Sequence, residues 1–180
     1  EISECLVGSE MCIRDRLASG YLARMLCKEL GIECIWPRIF SVYGIYEKET
    51  TMNASGLRKM LAGEPTEFTP GMQRWEYLFS ADAGRAFFLI GEKGRDGAVY
   101  CVGSGQPALL RDYIQKMAEL TDYRNPGIGA RPYPKGAVMN LCADIDSLYQ
   151  DTGFVPEYTF EQGIRETIAW LKSQSTGDKK

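Results

Sequence analysis

Ile35–Gly44, I-W-P-R-I-F-S-V-Y-G, is the stretch whose reading decides the fold. Ile35, Ile39, Phe40 and Val42 give it enough apolar, β-favouring surface for a buried strand, expected over Glu33–Phe40. Ser41, Tyr43 and Gly44 then change the chemistry from core to rim. A strand that ends in a polar, glycine-terminated turn suits an open α/β sheet, where ligands sit beyond the carboxyl ends of the strands.

Just upstream, Leu17, Tyr21, Leu22, Met25, Leu26 and Leu30 recur every three to four residues, with Arg24, Lys28 and Glu29 elsewhere around the turn. This spacing predicts an amphipathic helix ending at Gly31. Leu6–Arg16, L-V-G-S-E-M-C-I-R-D-R, shows neither helical nor strand periodicity and no signal-peptide core. Met11–Asp15 can be back-translated as ATG TGT ATA AGA GAC, followed by AG. That is the end of a transposon adapter used in preparing sequencing libraries, and Leu6–Glu10 fits the bases before it. Residues 1–16 are therefore read as a non-native, adapter-like segment, with Glu1–Ser3 unassigned.

Composition narrows the function. The chain has 180 residues, and its net charge of −3 leaves no electrostatic footprint for nucleic acid or an anionic membrane. No apolar run reaches the length of a membrane span. Cys5, Cys12, Cys27, Cys34, Cys101 and Cys142 show no C-x-x-C pairing and no metal-ligand rhythm, so they read as reduced thiols of a cytoplasmic protein. Histidine is absent, which removes His triads, His metal sites and His acid–base pairs.

Downstream, Met52–Gly63 is expected to be a helix with Leu57, Met60 and Leu61 inward and Thr50 or Thr51 as cap. Glu64–Trp75 is loop-rich. Tyr77–Phe79 reads as a short strand, and Ser80 or Asp82 as the start of a helix facing inward through Ala83, Ala86, Phe87 and Ile90. Asp82 is expected to cap and to compensate the helix dipole. Gly97–Gly105 is a buried-type strand running into a glycine turn before a helix over Leu109–Leu120. Its lone G-S-G is a weak phosphate-loop signal, better explained as a strand-to-helix turn. Asp144 is expected to cap Ile145–Asp151, which Gly153 closes. Thr159 is expected to cap the last helix, with Ile164, Ile168 and Leu171 inward. Ser173–Lys180 reads as a solvated tail.

Three ordered segments resemble the NAD-dependent epimerase/dehydratase family of extended short-chain dehydrogenases. P-R-I-F-S-V-Y-G resembles the family's P-R-x-F-N-x-Y-G. M-Q-R-W-E-Y-L-F-S-A-D-A-G-R-A resembles Q-x-R-D-Y-x-x-V-x-D-x-x-R-A. The stretches R-P-Y-P, D-I-D-S-L-Y-Q-D-T-G-F-V-P and F-E-Q-G-I-R-E-T-I-A-W resemble its closing pattern. The resemblance implies a Rossmann-type lobe for NAD or NADP and a smaller C-terminal lobe for a nucleoside-diphosphate sugar, closest to CDP- or UDP-sugar epimerases, dehydratases and reductases. The fold class implied is a truncated α/β Rossmann-type fold. Its last dinucleotide-lobe strands and helices, about 80–105, interleave with a small mixed α/β substrate lobe. The division is 17–44, the remnant of the dinucleotide lobe; 45–172, the nucleotide-sugar lobe; and 173–180, the tail.

By the same resemblance, Pro37 and Phe40 border cofactor and sugar, Ser41 stands where relatives often carry Asn, and Asn53 reaches the diphosphate. Arg131 binds the diphosphate, since its fork suits paired oxyanion oxygens. Trp75 occupies the usual Arg place and can stack on the base, Glu76 the usual Asp place, and Arg74 points to the opposite strand face. The catalytic Y-x-x-x-K motif is missing, because none of the ten tyrosines has Lys four residues later. No catalytic or metal-ligating residue is therefore assigned to this chain. The glycine fingerprint is missing too. The expectation is the back half of an enzyme, inactive as it stands and homodimeric when complete, with apolar faces left open. The alternative is a non-catalytic nucleotide-sugar-binding or scaffold domain.

Overall fold

The computed structural model describes residues 10–177; the readings of Glu1–Ser9 and of the last three residues lie outside them. α1 spans Glu10–Leu30. It begins seven residues before the expected start, so part of the adapter-like stretch is helical. No Pro or Gly interrupts Glu10–Ser19, and Met, Arg, Leu and Ala extend an existing helix at little cost. At the far end Gly31 is left-handed (φ 67°), and Ile32 N donates to Cys27 O at 2.9 Å, a Schellman closure.

β1 (Trp36–Ile39) pairs in parallel with β5 (Val99–Val102), Trp36 opposite Val99. β2 (Val42–Tyr43) pairs in parallel with β4 (Leu78–Phe79). β3 (Arg74–Trp75) runs antiparallel to β6 (Ala108–Leu109). The helices between and after them are α2 (Met52–Ala62), α3 (Ser80–Lys93), α4 (Leu110–Leu120), α5 (Asp146–Thr152) and α6 (Phe160–Gly177).

Two cores result. Tyr100 and Val102 of β5, Leu78 of β4, Ala83, Ala86 and Ile90 of α3, Leu148 of α5 and Phe154 form one. Leu57 and Met60 of α2, Ile114 and Met117 of α4, Ile164, Ile168 and Leu171 of α6, Phe68 and Tyr43 form the other. The chain alternates between them, so the interleaved mixed α/β reading holds.

Most local signals were accurate. The Thr51 hydroxyl accepts from Ala54 N, and Gly63 and Gly153 are left-handed closures. Thr159 Oγ1 accepts from Gln162 N at 3.3 Å while Gln162 Oε1 accepts from Thr159 N at 2.8 Å, a reciprocal capping box. Asp144 is displaced from its expected capping place: Ile145 is the N-cap of α5, with no side-chain cap hydrogen bond, and Asp144 Oδ1 accepts from Asp146 N at 3.1 Å from one residue further out.

Four further expectations are corrected. β1 is only half covered: it has one strand partner among the described residues, and Ile39 is exposed. Phe87 points outward, because the inward face of α3 runs through Ala83, Ala86 and Ile90. Residues 173–177 continue α6 rather than forming a tail. Asp82 is not a cap. Its buried carboxylate accepts from Glu157 N at 3.0 Å, Tyr158 N at 2.9 Å and Arg85 at 3.0 Å, fastening the segment before α6 onto α3.

Candidate functional site

β3 splits its side chains between two faces, as a strand must. Trp75 turns toward a cleft of about 810 Å³ between α2, the Pro65–Thr69 segment and residues 131–138. The next residue, Glu76, turns inward and is fully buried. Its Oε2 accepts from Gly105 N at 2.7 Å and Ser104 Oγ at 3.2 Å, and its Oε1 accepts from Ala143 N at 2.8 Å. A buried carboxylate is tolerable because backbone donors replace its lost hydration. This anchor fixes β3 and hence Trp75.

The cleft combines an apolar face, two cations and a bare acceptor. Phe68, Trp75 and Tyr77 line it, as do Lys59 from the last turn of α2 and Arg131. Arg131 is placed by its backbone: its N–H and that of Gly129 both donate to Phe68 O, at 3.1 and 3.0 Å. Its guanidinium lies 3.4 Å from exposed Glu67, an ion pair too solvated to hold it fast. Gly127 permits this wall. It is left-handed (φ 61°), and a Cβ there would run into the Thr66 carbonyl oxygen.

Gln73 also lines the cleft, and its buried Oε1 has no hydrogen-bond partner. Burial above all, with the nearby Glu47 charge and Tyr113, pushes the Tyr77 phenol far above its ordinary range, against a lowering contact from Asn53. Tyr77 is therefore a neutral hydroxyl at any physiological pH. Such a surface can stack a planar group, satisfy an N–H and hold anionic oxygens.

The six residues singled out from the sequence fall into separate places. Trp75 and Arg131 meet in the cleft. Asn53 is buried in the first turn of α2 behind Tyr77, and its Oδ1 has no partner. Pro37, Phe40 and Ser41 lie half-buried along β1 and at its carboxyl end, outside the cleft. Lys59, Gln73 and Tyr77 were missed. A lysine in a last helical turn reads as solvated, and no local pattern marks a glutamine whose acceptor will be buried.

A profile of the NAD dependent epimerase/dehydratase family matches residues 8–103, more than half of the chain. The chain belongs to this family. Among relatives, it is 28% identical over 171 residues to a dTDP-glucose 4,6-dehydratase of Xanthomonas campestris pv. campestris, covering 89% of this chain and 49% of the relative. A Haemophilus influenzae dTDP-glucose 4,6-dehydratase is 23% identical, with 89% and 51% covered. The chain spans about half the length of the curated relatives it matches. In fold it is similar to the UDP-glucose 4-epimerase of Thermotoga maritima crystallised with UDP-glucose (TM-score 0.81, 24% identity, 88% of this chain and 52% of that one). The NAD complex of dTDP-glucose 4,6-dehydratase from Bacillus anthracis is also similar (TM-score 0.76, 21% identity, 87% and 50%).

The 103–105 glycine turn spends its Gly105 N–H and Ser104 hydroxyl on Glu76, leaving neither for a phosphate. No group of three or more His, Cys, Asp or Glu among the described residues can hold a metal, and no described helix is long and apolar enough to cross a membrane.

Proposed function

We propose that this chain is the C-terminal part of an NAD(P)-dependent nucleotide-sugar epimerase, dehydratase or reductase, and that its cleft holds the nucleoside diphosphate of the substrate. The observation that carries this reading is the meeting of Trp75, the unpartnered Gln73 acceptor, Lys59 and Arg131 in one cleft of a family member. Trp75 stacks on the base, Gln73 Oε1 takes a base N–H, and Arg131 with Lys59 neutralises the diphosphate. Asn53 stands behind Tyr77 and steadies it, while Pro37, Phe40 and Ser41 border nicotinamide and sugar once the dinucleotide lobe is present. The chain alone supplies no Tyr–Lys pair and is inactive; residues 1–16 are adapter-derived. The complete protein is a cytoplasmic homodimer.

Titration of UDP-, CDP- and dTDP-sugars by calorimetry tests the cleft. The expected result is binding weakened at least tenfold by Arg131→Ala and by Trp75→Ala. Equal affinity in wild type and both variants would remove the cleft from the proposal. Long-read sequencing of the source DNA across the Arg16–Leu17 codons tests the rest. A frame continuing upstream into Y-x-x-x-K and a glycine-rich strand-turn-helix, whose product shows nicotinamide-dependent turnover, is expected. Genuine genomic codons for Leu6–Arg16 would instead favour a stand-alone binding domain.

A further inference from the structure

The wall that carries Arg131 also carries an anion. Among the described residues that line the cleft, Glu67 is the one acid, alongside the two cations Lys59 and Arg131. Backbone pairing fixes its place. The 66–69 and 126–131 segments run parallel, with Phe68 opposite Ile128. Phe68 N donates to Gly127 O at 3.0 Å, Arg131 N donates to Phe68 O at 3.1 Å, and Thr66 Oγ1 donates to Pro126 O at 3.0 Å. These bonds flank Glu67, so its backbone stays registered on the Arg131 segment. The side chains are held far more loosely. Glu67 Oε2 lies 3.4 Å from Arg131 Nε, well beyond the ~2.7–2.9 Å of a tight charged hydrogen bond, and the two side chains are 61% and 67% exposed.

We propose, resting on the reading of this cleft as a diphosphate site, that Glu67 is a resident placeholder on Arg131, which an incoming diphosphate displaces and which thereby sets the class of ligand the cleft accepts. In the empty cleft the carboxylate neutralises the guanidinium without gripping it. Paired phosphate oxygens offer that guanidinium two parallel charge-assisted hydrogen bonds, so they outcompete one loose contact. The carboxylate then swings into solvent, which its exposure allows. A free carboxylate is the same chemical group as the occupant, and the occupant has the advantage of being tethered. Some affinity for diphosphate is given up, and carboxylates are kept off Arg131.

The test is calorimetric titration of the full chain and its variants with UDP-, CDP- and dTDP-glucose. Glu67→Gln should bind the tightest of the three about three- to fivefold more strongly than wild type, the share an exposed pair can withhold. Its affinity should also fall more steeply with added NaCl, because the site has lost its own anion and presents more positive charge to screen. Glu92→Gln, the same charge change at an exposed position on α3 outside the cleft, should bind as wild type does. In an Arg131→Ala background the gain from Glu67→Gln should vanish. Malonate, a carboxylate probe, should displace the sugar nucleotide more readily from Glu67→Gln than from wild type. Unchanged or weakened binding by Glu67→Gln would overturn the proposal while leaving the diphosphate reading intact. So would a gain of equal size with Arg131 removed, or equal displacement by malonate. Binding by none of the proteins would remove the diphosphate reading, and the placeholder with it.

Discussion

Glu76 reaches across the fold to Ala143, whose backbone N–H donates to Glu76 Oε1 at 2.8 Å, 67 residues away in sequence. With Gly105 N and Ser104 Oγ on the other oxygen, one carboxylate ties two segments to the strand that carries Trp75. Glu76→Gln removes the charge and turns an amide N–H₂ toward groups that are themselves donors. The expected cost is about 3 kcal/mol, read as a fall of roughly 6–12 °C in Tm. An unchanged Tm would mean the anchor carries no weight.

Glu47 should behave in the opposite sense. Its Oε2 is buried without a partner, and burial pushes its carboxyl up, only partly offset by hydrogen bonds from Thr51 and Gly44. A carboxyl raised in the folded state contributes stability at low pH that is lost as pH rises through the folded value. Glu47→Gln should therefore stabilise the chain at pH 7, by about 1 kcal/mol, and give no gain near pH 4. Thermal melts at both pH values check this; a loss at pH 7 would contradict it.

Asp151 carries the reverse pH signature. Hydrogen bonds first from the Tyr100 hydroxyl at 2.7 Å and then from Arg95 Nε at 2.7 Å hold its carboxyl below the usual 3.8. Its contribution is complete above that ordinary value and is lost as pH falls through the lowered one. Tyr100→Phe should lower Tm at neutral pH and shrink the difference between Tm at pH 6 and at pH 3. A variant whose acid sensitivity matches wild type would exclude Asp151 from the acid transition.

The apolar stripe of α1 is open among the described residues, with Leu22 58% and Met25 61% exposed alongside Leu17, Tyr21, Leu26 and Leu30. A continuous stripe of this kind drives self-association. Leu22→Glu combined with Met25→Gln should leave Tm within about 1 °C, as surface changes usually do, while raising the concentration at which light scattering first increases. If scattering is unaltered, association runs through another surface.

What the sequence disclosed depended on range. The Thr51 cap, the Thr159–Gln162 box and the Gly153 closure involve residues one to four apart and were legible. Trp75 and Arg131, singled out by the family resemblance as binding residues, stand in one cleft that no local pattern outlines. Partners brought together from afar were not legible. Asp82 looked like a cap because its targets, Glu157 and Tyr158, lie more than seventy residues on. Glu76 looked like a stand-in for the family's Asp, with nothing local to announce its hold on Ala143. Phe87 misled because a fourteen-residue helix offers several stripes, and only the packed neighbours choose among them.

The Asp82 clamp sets a timetable for the nascent chain. Asp82 is synthesised 75 residues before Glu157, and at ~5–20 residues per second its carboxylate waits about 4–15 s for the amides that will take it in. Throughout that interval α3 can form but cannot close over its acid. Closure falls to the Glu157–Tyr158 segment that leads into α6, so a deletion that releases this segment would strand a charge made long before.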